Sequence, residues 1–197
     1  MTIVAKSTEF IVKEFCARLS PGEEAVILDI TPEADAKPGK SNENVEAKIK
    51  ADGGSALEGW TIWYEEDVVV EGEAHMIWLS PKGEKVEITP REGHEQVMFL
   101  PQAGVWSKEL PIANKRQALG DSPMVRAVFR MNEWKDKLRK EYGSEEAIPE
   151  AEMEKVNRAF NRVAGHTVRN WEPCPFHPGK QFGKCCGKAK GKPLTNF

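Results

Sequence analysis

A chain of 197 residues has room for one well-filled core of roughly 150 residues and a small appendage, but not for two full domains. Hydrophobic residues make up 40% and charged residues 30%, the balance of a soluble globular protein, and no apolar run approaches the ~20 residues a membrane helix needs. The net charge of −3 argues against extended nucleic-acid binding, although Lys180, Lys184, Lys188, Lys190 and Lys192 crowd the C-terminal tail, where an anionic partner would be met first.

In chain order, Met1 to Phe10 lacks the apolar core and small-residue cleavage site of a secretory signal, so a cytoplasmic location is expected. Phe10, Ile11, Phe15 and Leu19 recur at helical spacing from Lys6 until Ser20-Pro21-Gly22 ends the run. Ala25 to Ile30 is short, aliphatic and stopped by Thr31-Pro32, the signature of a strand. Ser41-Asn42-Glu43 begins a helix that Gly53-Gly54 closes, with Val45 and Ile49 four apart. Trp60–Tyr64, Val68–Val70, Ala74–Leu79, Lys85–Thr89 and Glu95–Leu100 are predicted strands, and Pro81-Lys82-Gly83-Glu84 turns one hairpin. Ser122-Pro123 starts a helix with Val125, Val128, Phe129 and Leu138 on one face, and Pro149 to Val163 starts another. Helices, then an antiparallel meander, then helices again define an α+β domain, here residues 1–168, in which an antiparallel sheet is flanked by helices.

Residues 169–197 read differently. Cys16 stands alone, but Cys174, Cys185 and Cys186 fall within thirteen residues, together with His177. Clustered thiols in a cytoplasmic chain point to metal rather than to a disulfide framework. Four soft or borderline ligands suit tetrahedral Zn²⁺, and Gly179, Gly183 and Gly187 permit the tight turns such a small loop needs. Adjacent side chains normally diverge, so Cys185 and Cys186 reach one ion only inside such a turn. Four protein ligands leave no open position, which makes the zinc structural rather than catalytic.

The run Cys174-Pro-Phe-His177-Pro-Gly179-Lys180-Gln-Phe182-Gly-Lys184-Cys185-Cys186-Gly187 resembles the SEC-C motif, named for the zinc-binding C-terminus of the SecA translocation ATPase. That motif carries Cys-x-Cys, eight residues, then Cys followed by Cys or His. Phe176 stands where the second cysteine belongs, and His177 is the substitute that the resemblance implies. It covers about fourteen residues and speaks for metal binding, not for a reaction.

Three further residues have plain readings: His75 as a core histidine among apolar strand neighbours, Ser41 as a helix N-cap and Glu87 as a solvated strand residue. Trp60, Trp63, Trp78 and Met76 are likewise core at strand spacing before they are a substrate groove. Yet Ser41-Asn-Glu-Asn44-Val45, Gly59-Trp60, His75-Met-Ile-Trp78, Pro81-Lys-Gly83 and Glu87-Ile-Thr89-Pro90 resemble recurring blocks of an uncharacterised family of bacterial and phage SEC-C proteins. In that family a cysteine, a histidine and an aspartate occupy the positions of Ser41, His75 and Glu87. The order is also similar to that of papain-like and transglutaminase-like thiol enzymes, which implies nucleophile, base and orienting acid for an amide or thioester hydrolase or acyltransferase. Ser41 departs from the family's cysteine, as in a working serine variant, an inactive relative that retains binding, or a chain whose cysteine was replaced deliberately. The alternative expectation is a non-catalytic adaptor. Its knuckle would expose Phe176 and Phe182 beside lysines, to meet a protein partner or, through the basic tail, nucleic acid or the ribosome.

Overall fold

The computed structural model describes residues 3–4, 10–106, 112–145, 147–188 and 194–197. Residues 6–9 of the predicted opening helix, and Lys190 and Lys192 of the basic tail, lie outside the described residues. The protein is α+β with an antiparallel sheet and helices, as its order of elements implied. It divides into two compact units, Met1–Glu65 with Val70–Lys108, and Glu66–Val69 with Glu109–Phe197. No helix among the described residues is long and apolar enough to cross a membrane.

The first unit holds β1 (Ile3–Val4), α1 (Phe10–Leu19), β2 (Val26–Asp29), α2 (Ser41–Asp52), β3 (Ser55–Glu65), most of β4 (Val69–Leu79), β5 (Lys85–Val86) and β6 (Gln96–Pro101). The strands run in the order β2-β6-β3-β4-β5, with β1 added beside β3. Register sets two faces. Trp60 pairs Leu100 and Ile62 pairs Met98, while Thr61 pairs Phe99 on the opposite face.

Two short predicted strands, Val68–Val70 and Ala74–Leu79, are one continuous β4 through Glu71-Gly72-Glu73. Gly72 is what allows this: a Cβ there would lie 2.7 Å from Leu19 Cδ2 and within 3.6 Å of Phe15, so its absence lets α1 press onto the strand. The buried stripe of α1 is Val12, Phe15, Cys16 and Leu19; Phe10 is exposed, contrary to the sequence reading. Residues i, i+3, i+4 and i+7 give the narrower stripe that one sheet face can cover.

The predicted strand Lys85–Thr89 is shorter than expected. β5 ends at Val86, after a turn in which Ser80 N donates to Glu84 O at 2.9 Å and Gly83 takes φ +83°. The chain then crosses to the far edge of the sheet, where Glu87 forms a parallel bridge with Ile30 beyond the end of β2. Thr31 N donates to Glu87 O at 2.8 Å, which joins the two edges of the sheet. Edges paired in this way need no other cover, and Thr61, His75, Ile77, Glu87 and Phe99 are buried.

The second unit comprises β7 (Lys115–Ala118), α3 (Pro123–Tyr142), α4 (Glu150–Ala164), and the C-terminal hairpin β8 (Pro173–Cys174) and β9 (His177–Gln181). The Ser122 hydroxyl accepts from Val125 N at 3.2 Å, with Pro123 in the first turn, so α3 starts where the sequence predicted. β7 carries no alternating apolar signal and was not expected. It is held by Ala118 N donating to Leu194 O, by Asn196 Oδ1 accepting from Arg116 N, and by the buried Arg116–Asp136 pair. Ala127 and Val163 of the helices pack with Cys174, Phe182 and Cys186 in one hydrophobic cluster.

Phe15 is wholly buried in the first unit. Phe15→Ala is expected to cost about 3–5 kcal/mol, from lost transfer and an unfilled cavity, measured as a shift in denaturant midpoint at constant slope.

Candidate metal centre

Cys174 and His177 face each other across the β8–β9 hairpin, whose loop is Pro175-Phe176. The 3₁₀ turn Phe182–Lys184 follows, and the Phe182 carbonyl accepts from both Cys185 N (2.9 Å) and Gly187 N (2.8 Å). That double acceptance curls residues 182–187 tightly enough for the adjacent Cys185 and Cys186 side chains to converge, their sulfurs 3.9 Å apart. The glycines serve different ends. Gly179 takes φ +86°, whereas Gly183 and Gly187 are required by closeness: a Cβ on Gly187 would sit 2.8 Å from the Phe182 ring, and one on Gly183 2.7 Å from Asn170 Cβ.

The four ligand atoms all lie within 4.8 Å of one another, close enough to bind a metal ion. His177 Nδ1 is 3.7, 3.2 and 3.4 Å from the sulfurs of Cys174, Cys185 and Cys186. A tetrahedral ion with metal–sulfur bonds of about 2.3 Å and a metal–nitrogen bond of about 2.0 Å has edges near 3.8 Å between sulfurs and near 3.5 Å from sulfur to nitrogen. The three nitrogen–sulfur separations and the Cys185–Cys186 separation lie near those lengths, within an overall span of 4.8 Å.

Protonation points the same way. Burial would raise the Cys174 thiol, but hydrogen bonds from the Phe176 backbone and from Cys186 outweigh it and hold the group below its usual range. Burial, with the Cys174 and Cys185 sulfurs beside it, pushes Cys186 up to about 12. Three thiols so close cannot all ionise unless a cation sits among them. Burial, then Arg130 and Lys180 nearby, lowers the pKa of His177, which keeps the imidazole neutral and its lone pair free to ligate.

The second predicted constellation lies in the first unit. His75 Nε2 is 2.5 Å from Glu87 Oε2, both side chains being buried, and Glu87 Oε1 accepts from Thr89 N at 2.7 Å. Arg91, which sequence reasoning missed, donates from Nη2 to His75 Nδ1 (3.2 Å) and to Thr61 Oγ1 (3.3 Å). An arginine can only donate, so His75 Nδ1 is the acceptor and Nε2 carries the proton shared with Glu87. Arg91 also donates from Nη1 to Glu73 Oε2 (3.0 Å), which accepts from Trp63 Nε1 at 2.7 Å. Burial would raise the Glu73 carboxyl, but the Arg91 charge and the Trp63 N–H outweigh it and hold it below the usual range.

Ser41 is the first residue of α2, not its cap, which is Lys40. Among the described residues its hydroxyl has no hydrogen-bond partner, and both nitrogens of His75 are engaged by Glu87 and Arg91. The helix packs Val45 and Ile49 with Met76 and Trp78, the face of β4 opposite to His75. One link joins the two sides: Asn44 Nδ2 donates to Thr89 Oγ1 at 3.2 Å, which brings the first turn of α2 to the residue whose amide holds Glu87. The structure therefore pairs His75 with Glu87 and leaves Ser41 one turn of helix from that pair's support.

The exposed aromatic surface expected of the knuckle is also revised. Phe182 is buried beneath the metal ligands and Phe176 packs against the same core, while Trp171 is 67% exposed. Arg169 lies over its ring, 5.4 Å from the centroid, and Lys180, Lys184 and Lys188 are exposed. Comparison with known protein families, curated proteins and solved structures finds no match for this chain.

The ligand geometry leads to a direct expectation. Titration with Zn²⁺ or Co²⁺ is expected to saturate at one ion per chain, with Co²⁺ giving tetrahedral thiolate absorption, and to weaken as pH falls because the thiols must deprotonate. Cys186→Ser is expected to abolish tight binding and lower the thermal midpoint; full retention of both, measured by chelator competition and calorimetry, would refute the ligand assignment.

Proposed function

We propose that this is a zinc-binding, SEC-C-like cytoplasmic protein, in which Cys174, His177, Cys185 and Cys186 form a closed structural site that supports a docking surface for a protein partner. The observation that carries the reading is the set of ligand-atom separations, 3.2–3.7 Å from nitrogen to sulfur and 3.9 Å between the adjacent sulfurs. Three thiolates and an imidazole favour Zn²⁺ among abundant divalent ions, and four protein ligands leave no place for substrate.

The docking role rests on Trp171. An indole so exposed is an uncommon feature of a protein surface and a common anchor in interfaces, especially beside an arginine. Residues 170–172 run beside the metal turn, since Phe182 N donates to Glu172 O (2.8 Å) and Gly183 N to Asn170 O (2.9 Å). Zinc thereby fixes the backbone that presents Trp171. Trp171→Ala should weaken capture of the partner from the native cytoplasm at least about tenfold, with zinc content and thermal midpoint unchanged. An unaltered set of bound proteins in both Trp171→Ala and a 169–197 deletion would end this reading.

A second reading is favoured by one observation, the buried His75–Glu87 contact: the first unit is a hydrolase or acyltransferase for amide or thioester bonds, active or degenerate, acting on a peptide-like substrate. In it residue 41 is the nucleophile, His75 the base and Glu87 the group that fixes the imidazole tautomer. Arg91 occupies the nitrogen that would receive the proton, so the reading requires Arg91 to withdraw. A thiol at position 41 then reports on the base. Ser41→Cys is expected to react with iodoacetamide at neutral pH roughly tenfold faster when combined with Arg91→Ala than alone. Equal rates, both matching a free cysteine, would leave His75 a structural residue.

A further inference from the structure

Arg126 is a cation where a helix would ordinarily bury an aliphatic side chain. It lies one residue past Val125 in the first turns of α3, is 2% exposed, and is flanked by buried Val125 and Ala127. Its guanidinium makes three contacts. Nε donates to the carbonyl of Cys186 at 2.6 Å, and Nη1 donates to the carbonyl and to the side-chain carboxylate of Asp121. Asp121 is not buried to the same degree, its side chain retaining 25% exposure. The arginine is therefore the more deeply buried partner of its ion pair, and its inner edge faces the metal turn.

Burying a guanidinium is costly unless a compensating charge or full hydrogen bonding surrounds it. The metal centre supplies such a charge. Three thiolates around one divalent ion leave a net charge of minus one, in a loop that shares its core with Ala127. Arg130 and Lys180 also face the centre electrostatically, through His177, but both lie nearer solvent. Only Arg126 is at once buried and hydrogen-bonded to the backbone of a ligand residue among the described residues. Its donation to the Cys186 carbonyl also fixes the peptide that follows the paired cysteines, in the turn that makes their side chains converge.

We infer that Arg126 is a positioning residue of the zinc site: it balances the negative charge of the three-thiolate centre and clamps the Cys185-Cys186 turn onto α3. This rests on the zinc reading above. It goes beyond it in assigning the strength and chemical quiet of the site to a residue outside the ligand set. A thiolate whose charge is offset by a neighbouring cation and hydrogen bond is a weaker nucleophile, so the same residue keeps zinc-bound cysteines from being alkylated.

The test uses the full chain loaded with zinc. Affinity is measured by chelator competition, and the alkylation of metal-bound cysteines by iodoacetamide is followed by mass spectrometry. Arg126→Met keeps most of the side-chain volume and is expected to weaken zinc binding by about 10–100-fold and to speed alkylation. Arg126→Lys keeps the charge but not the fork, and is expected to fall between the two in both measurements. Asp121→Asn removes the competing carboxylate while leaving Arg126, and is expected to bind zinc at least as tightly as the unaltered chain. Zinc affinity and alkylation rate both unchanged in Arg126→Met would overturn the inference. So would an Asp121→Asn loss as large as that of Arg126→Met, since the pair would then act only by holding α3. If the unaltered chain binds no zinc, the zinc reading itself has failed; if it binds and Arg126→Met binds equally, only the present inference has.

Discussion

Three thiols, two of them buried, and an imidazole converging on a single point form an arrangement that protons alone do not stabilise. Burial first, and then the Cys174 and Cys185 sulfurs, raise the cost of ionising Cys186. A cation at the centre reverses the sign of every one of these interactions. One hydrophobic cluster of the second unit is built on the outcome, because Phe182, Ala127 and Val163 pack against the same cysteines that would hold the ion. Around thirty residues of irregular chain cannot bury enough apolar surface to order themselves, and metal binding supplies folding free energy to such segments. The cysteine cluster and the helices α3 and α4 are thus parts of one packing problem.

In the first unit the corresponding constraint is closure of the sheet. The chain leaves β5 after Val86 and bridges to Ile30, and this small departure from a regular hairpin encloses the face that carries His75. An enclosed polar group must find partners, and all but Arg91 Nε do: Glu87 takes His75 and the Thr89 amide, the Arg91 Nη atoms take His75, Thr61 and Glu73, and Glu73 takes the Trp63 indole. A network in which nearly every donor is matched fixes one register of strands and one rotamer for each member. That is sufficient reason for such residues to sit together, whether or not chemistry takes place there.

How much of this was legible in the sequence follows from the range of the signals. Element types that rest on local periodicity or punctuation were readable: α2 between Ser41 and Gly53, the turn at Pro81-Lys82-Gly83-Glu84, α3 from the Ser122 cap, and the ligand run from Cys174 to Gly187. What depended on distant chain was not. β7 is held in part by residues 194–196 and Asp136, none of which its own four residues reveal. The two halves of β4 read as separate strands because only the approach of α1 explains Gly72 between them. Arg91 and Arg126 read as ordinary polar positions, since a buried arginine differs from a solvated one only by partners elsewhere in the fold. The burial of Phe182 was hidden for the same reason: an aromatic among lysines and glycines has no periodic neighbour to indicate a core.

Strand alternation bears most heavily on the residues that sequence resemblance grouped as a triad. Met76 and Trp78 meet α2, so His75, one residue before Met76, is directed to the enclosed face with Phe99 and Glu87. A nucleophile on α2 would have to reach His75 around the edge of the sheet, through the gap where β5 gives way to Glu87. That edge is where Asn44 meets Thr89, and Thr89 in turn orients Glu87, so the first turn of α2 is anchored to the acid rather than to the base. A hydroxyl needs the base more than a thiol does, because a helix N-terminus alone cannot ionise it. Here the acid–histidine pair is closed by packing and by Arg91 on the second imidazole nitrogen, so a proton acceptor for residue 41 depends on displacement of that arginine.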